Sequence, residues 1–267
     1  FCEAGRTEYN PRSPETVVKE MIECREKYGI REIDIFDYDF TVNQKRVRDI
    51  CSLLIEKKLD ISWACRSRVD IDNDLLIIMK KAGCSRIYYG IESGSQKILD
   101  GINKGITLQQ IKQTVKNTKK AGIKTLGFFL IGAPGDTLET VKKTISFAKS
   151  LDLDYVQFSK CLAKPLTPLW EEMVKKQGAD YWQDWILGKE TDHALPRPWT
   201  ALSNEQIDRL AKWAYVSYHF RLLFIIRSLL KIRSFSELKR KACAFFDMFL
   251  KQEIFSREDK NFKAYHE

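Results

Sequence analysis

KTLGFFLIGAPGDTLETVKKTISFAKSLDLDYVQFSK, residues 124–160, runs through a strand, a turn, a helix and a second strand. Lys124 to Ile131 reads as a strand ending in Gly132-Ala133-Pro134-Gly135, with a helix from Thr137 to Ser150 and a strand from Asp154 to Lys160. A helix joining two strands through short connections is a βαβ unit, whose crossover sets the strands parallel.

Upstream the same alternation repeats. Ser13 and Pro14 open a helix that runs to Tyr28 and stops at Gly29, an N-cap and first-turn proline at one end and a glycine at the other. A strand is expected over Arg31 to Asp37, a helix over Gln44 to Lys58, and a short strand over Ile61 to Arg66. Asp72 caps a helix ending near Ala82-Gly83, Ser85 to Ile91 is a strand leading into Glu92-Ser93-Gly94-Ser95, and Thr107 opens a helix to Ala121-Gly122. Five strands are visible, and the first helix has none before it. A parallel crossover requires one, so a strand upstream of Cys2 is expected, and the fold class is a partial parallel (β/α)6 barrel. Active residues of such barrels lie at the carboxyl rim of the strands. Cys2, Asp37, Arg66, Glu92, Gly132 and Lys160 converge there.

Beyond about residue 165 the alternation gives way to helices, expected over Leu166 to Gln177, Ser203 to about Ile232 and Ser234 to about Gln252. The expected division is a barrel core over residues 1–165 and a mostly helical extension over 166–267. Trp182, Trp185, Trp199, Trp213, Tyr215 and Tyr218 read as packing residues. The helix around Tyr218-His219-Phe220-Arg221 is placed either to close the open side of the barrel or to meet an apolar substrate.

Composition narrows the class. The 267 residues are 44% hydrophobic and 12% aromatic, ample for a core and incompatible with a disordered chain. The formal charge is +9, and residues 191–267 supply +5 of it with 14 basic against 9 acidic residues. That favours an anionic partner, leaves room for peripheral membrane contact, and equally describes a lysine-rich soluble surface. The apolar run Leu222 to Ile226 is far short of the roughly 20 residues that span a bilayer. Neither end reads as a targeting segment, and Phe1 is not an initiator, so the chain reads as a fragment or a processed product. Cys24, Cys51, Cys65, Cys84, Cys161 and Cys243 are expected to be buried free thiols in a reducing cytoplasm, while Cys2 stands apart. His193, His219 and His266 show no metal spacing. No RNA-binding signature is present, which argues against a nucleic-acid partner.

Phe1-Cys2, NPRSPETVVKEM (residues 10–21), IREIDIFDYDFTVN (30–43), SWACRSRVD (62–70), YYGIESGSQKIL (88–99) and GFFLIGAPGDTLET (127–140) resemble, in order and spacing, the core of the radical S-adenosylmethionine (SAM) superfamily. The resemblance covers roughly residues 1–170 and leans toward the branch that carries a cobalamin-binding domain before the barrel. Cys2 matches the last cysteine of the family's C-x3-C-x2-C motif. The resemblance implies a 4Fe-4S cluster with Cys2 as one ligand, and a chain cut just before Cys2 is expected to hold no stable cluster alone. It implies SAM bound by Asp37, Arg66, Gly90, Glu92, Ser93 and Gly132, and a one-electron reductant such as flavodoxin or ferredoxin. Carboxylates accept from ammonium and hydroxyl donors, a guanidinium grips a carboxylate with two bonds, and glycine lets backbone approach closely. Arg68 competes with Arg66, the turn at Gly132 serves equally as a plain tight turn, and Lys160 and Cys161 face substrate, core or surface. The implied activity is reductive SAM cleavage on a small or lipid-like substrate, with cobalamin-assisted methyl transfer or cyclisation. An RNA-modifying methylthiotransferase-like enzyme and a binding module without a cluster stand as rivals.

Overall fold

The computed structural model describes residues 8–189, 197–221, 225–226, 239 and 243. In chain order the elements are α1 (Pro14–Tyr28), β1 (Glu32–Ile35), α2 (Gln44–Glu56), β2 (Ser62–Ser67), α3 (Asn73–Lys81), β3 (Cys84–Glu92), α4 (Gln96–Gly101) and α5 (Leu108–Lys120). There follow β4 (Lys124–Ile131), α6 (Leu138–Ser150), β5 (Tyr155–Lys160), α7 (Pro168–Gln177), α8 (Tyr181–Ile186) and α9 (Asn204–His219). The five strands pair in sequence order, β1-β2-β3-β4-β5, every pair parallel, and the sheet curls into a half-barrel.

Local signals set the helix ends. The Ser13 hydroxyl accepts the Thr16 N–H, and Gly29 closes α1 in the left-handed conformation at φ +66°. Thr107 and Thr137 each open their helix with a reciprocal capping box, to Gln110 and Thr140, arrangements that satisfy two otherwise orphaned N–H groups apiece. Asp72 occupies the N-cap position of α3 but makes no side-chain cap bond; its carboxylate pairs instead with Arg48 at 3.2 Å. The expected start of α7 at Leu166 shifts to Pro168, because Thr167 accepts the Trp170 N–H as N-cap while Leu166 turns at φ +65°. Of the helix expected from Ser203 to about Ile232, Ile225 and Ile226 are helical, residues 222–224 and 227–232 lie outside the described residues, and a break falls after His219. There Arg221 doubles back, donating to the Tyr218 carbonyl at 3.0 Å, which a longer helix would have bonded, and to the Lys149 carbonyl at the end of α6 at 2.7 Å. The helix expected over Ser234 to Gln252 lies almost wholly outside the described residues.

Parallel register assigns the two faces of the sheet. Trp63, Cys65, Ile87, Tyr89, Ile91, Phe129, Ile131, Val156 and Phe158 are buried on the face under the helices. Glu32, Asp34, Arg66, Arg86, Tyr88, Phe128 and Gln157 share the opposite, concave face by the same register. Helix α9 lies on the outer, helical layer. Ile207, Leu210, Ala211, Ala214 and Tyr218 join the core of the sheet, so α9 buries β5 from outside rather than closing the concave side. Of the expected packing residues Trp199 and Tyr218 are buried, whereas Trp213 is 42% exposed. Cys51, Cys65, Cys84 and Cys161 are buried free thiols and Cys24 is half-buried, but Cys243 is exposed. No helix among the described residues is long and apolar enough to cross a membrane.

Candidate active site

The carboxyl ends of β1 to β5 form one rim. At the end of β3, Gly90 pairs with Phe128 while Glu92 pairs with the next residue, Phe129, so the register shifts there. Glu92 turns at φ +68°, a left-handed conformation that L side chains rarely adopt. Its Oε1 meets Lys104 Nζ at 2.9 Å, with the side chains only 12% and 13% accessible. Gly90 lies directly beneath this pair: a Cβ there would stand 2.7 Å from Glu92 Oε1 and 3.0 Å from Lys104 Nζ. Nothing in the sequence marks Lys104, because it sits in the short loop after α4 and reaches the rim only through the fold.

The other expected residues fall into two groups. Asp37 is exposed in the loop after β1, and Arg66 lies on the concave face with Nη1 and Nη2 on the Asp34 carboxylate at 3.1 and 3.3 Å. The guanidinium also stacks 3.7 Å from the Phe36 ring. Arg68 turns instead to the loop after α4, where its Nη2 donates to the Lys104 carbonyl at 2.9 Å. Ser93 is buried and aimed at α6, its hydroxyl 3.0 Å from that of Thr144. Gly132 turns at φ +77°, donates its N–H to Asp136 at 3.0 Å, and accepts from the Trp199 indole at 2.9 Å. Lys160 reaches Asp208 of α9 at 3.0 Å, on the helical side. Cys161 is buried, and burial pushes its thiol up to about 12, far from the thiolate a metal would need.

Deeper on the concave face, Arg86 pairs with Glu32 at 3.0 Å and keeps a buried Nε without a partner among the described residues. Tyr88 and Phe128 stack at 6.1 Å. Charged and flat aromatic groups therefore share the concave face beneath the rim. The profile of the radical SAM superfamily matches residues 1–148. The chain belongs to the radical SAM superfamily.

An uncharacterized methyltransferase of Pyrococcus horikoshii is 39% identical over 224 residues, covering 84% of this chain and 48% of that protein. The anaerobic magnesium-protoporphyrin IX monomethyl ester cyclase of Rubrivivax gelatinosus is 29% identical over 181 residues, covering 66% of this chain and 33% of the cyclase. The chain thus spans about half or less of the length of these curated relatives. The radical SAM methyltransferase TsrM of Kitasatospora setae, solved with cobalamin and a [4Fe-4S] cluster, shares the fold at TM-score 0.58 and 23% identity, over 63% of this chain and 35% of that one. The family works with a 4Fe-4S cluster and SAM. A rim carboxylate with one oxygen on Lys104 and the other outside that pair fits a ligand that carries an ammonium and hydroxyls. Cys2, the expected iron ligand, lies outside the described residues, and no cluster of three metal-ligating side chains occurs among them.

Proposed function

We propose that the protein is a radical SAM enzyme that cleaves SAM reductively and acts on a small or lipid-like organic substrate, by cobalamin-assisted methyl transfer or by cyclisation. The observation that carries this reading is Glu92, held at the rim by Lys104 over Gly90, in a chain of this family. Bound together, the cluster and SAM supply a one-electron route to C–S cleavage. The chain's own groups do the rest. Cys2 offers a thiolate to iron, Glu92 and Asp37 accept from SAM's ammonium or ribose hydroxyls, and Gly90 leaves room for the Glu92–Lys104 pair. Arg66 orders the floor of the site through Asp34, while Ser93 and Gly132 fix the backbone of two rim turns. The substrate lies on the concave face against Tyr88 and Phe128.

Relatives named as a methyltransferase and a cyclase support the reaction class. Flavodoxin or ferredoxin fits as electron donor, and a cytoplasmic location, with peripheral contact to a membrane, fits the buried thiols and the basic surface. Anaerobic reconstitution of the full-length protein with iron and sulfide, followed by reduction, tests the reading. Mass spectrometry should then find SAM converted to 5′-deoxyadenosine, and SAM recovered intact from a protein with a reduced cluster would overturn it.

A further inference from the structure

We propose that Lys104 is a positioning residue whose ammonium holds Glu92 in the left-handed conformation that presents its carboxylate to SAM; the proposal rests on the reading of Glu92 as a SAM contact. A non-glycine residue at positive φ costs of order 1 kcal/mol or more and persists only where its surroundings over-determine it. At Glu92 those surroundings are specific. The backbone bulges between Gly90 and Glu92, which re-aims the side chain, and the only cation that the described residues bring to the carboxylate is Lys104, on Oε1. Oε2 is left to meet a donor from a ligand.

Lys104 is itself anchored from three directions. Its N–H donates to the Leu99 carbonyl at 2.9 Å, and its carbonyl accepts from Arg68 at 2.9 Å. Gln96 closes the far side of the loop, donating to the Ile106 carbonyl at 3.0 Å and accepting the Leu108 N–H at 3.1 Å. The flanking Asn103 and Gly105 both turn at positive φ, 52° and 67°, so the loop brings the lysine back over β3 instead of into solvent. A chain of contacts therefore runs from the end of β2 through Arg68 and Lys104 to Glu92. A surface ion pair is weak and screened; this one is nearly nine-tenths buried at both side chains, where breaking it leaves a charge uncompensated.

A double-mutant cycle in the reconstituted full-length protein tests this. SAM affinity is read by equilibrium dialysis, with cluster content and melting temperature measured on every variant. Glu92→Gln and Lys104→Met should each weaken SAM binding about tenfold, and the second change should add less than twofold in the presence of the first, as expected for residues acting as one unit. Lys104→Arg should recover most of the affinity. Should Lys104→Met fail to fold, Lys104→Gln takes its place in the cycle. If Glu92→Gln weakens binding while the Lys104 variants do not, or if the two effects multiply in full, Lys104 does not act through Glu92 and the proposal is overturned. If Glu92→Gln leaves affinity unchanged, the reading of the site itself fails.

Discussion

Asp136 carries the turn that follows β4. One carboxylate oxygen accepts the N–H groups of Gly132 and Ala133, both at 3.0 Å, and the other accepts the Thr140 hydroxyl at 2.7 Å. The side chain is buried, and burial outweighs the three donors to hold its carboxyl above the ordinary range. A raised folded value means that the native state binds the proton more tightly than the unfolded chain. The stability this contributes is present below the unfolded value, near pH ~4, and is lost as pH rises through the folded one. Asp136→Asn keeps an oxygen for the two N–H groups and carries no charge to bury. It should flatten the fall in stability on the alkaline side of that range, as read by urea unfolding at a series of pH values. Asp136→Ala instead orphans two buried N–H groups and should cost about 2–3 kcal/mol at every pH. Equal slopes for wild type and Asp136→Asn would show that the carboxylate does not titrate differently on folding.

At the scale of elements, Gly94 is where the loop after β3 presses closest on α6. A Cβ there would lie 2.5 Å from Phe147 Cβ, 2.7 Å from Thr144 Cα and 2.8 Å from the Lys143 carbonyl oxygen. Two of these are backbone atoms, so no rotamer change relieves the clash. Gly94→Ala should destabilise by about 3 kcal/mol or more, seen as a lower urea midpoint. It should also displace Ser93, since Gly94 N and Ser93 Oγ both bond Thr144 Oγ1, and with it Ser95, whose N–H bonds Ser93 Oγ. Such contacts mark the boundary of what the sequence makes legible. Helix starts at Ser13, Thr107 and Thr137, the stop at Gly29, and β4 to its end residues were legible because caps and strand patterns are local. So was the carriage of Gly90 and Glu92 to the rim, since it follows from strand polarity alone. The partners were not legible: Lys104 for Glu92, Asp34 for Arg66, Thr144 for Ser93 and Trp199 for Gly132 are 12 to 67 residues apart in sequence. Short helices α4 and α8, six residues each, are too brief for periodicity to announce them.

For the whole molecule, the question is whether the chain divides near residue 165. We propose that the division is one of pattern and not of folding. Trp199 and Tyr218 donate to the Gly132 and Leu153 carbonyls at 2.9 and 2.8 Å, and Lys160 of β5 pairs with Asp208 of α9. Ile207 is fully buried against the glycine turn after β4, with its Cδ1 where a Gly132 side chain would stand. Removing α9 would expose Val156 and Phe158, which have no other helical cover after β5 among the described residues. Truncating Ile207 to alanine should therefore cost about 2–5 kcal/mol, lowering the urea midpoint with the slope unchanged, because the same surface is still exposed in one step. The decisive reading is the number of transitions. If α9 belongs to the core, the β-sheet signal and the tryptophan fluorescence, five of whose six tryptophans follow residue 165, move together in one transition that Ile207→Ala shifts as a whole. If the segment after residue 165 were a domain of its own, Ile207→Ala would shift the fluorescence step and leave the β-sheet transition in place. A chain ended at residue 165 distinguishes the cases again: with β5 left bare on its outer face it should lose the cooperative transition, whereas an independent barrel core would keep it.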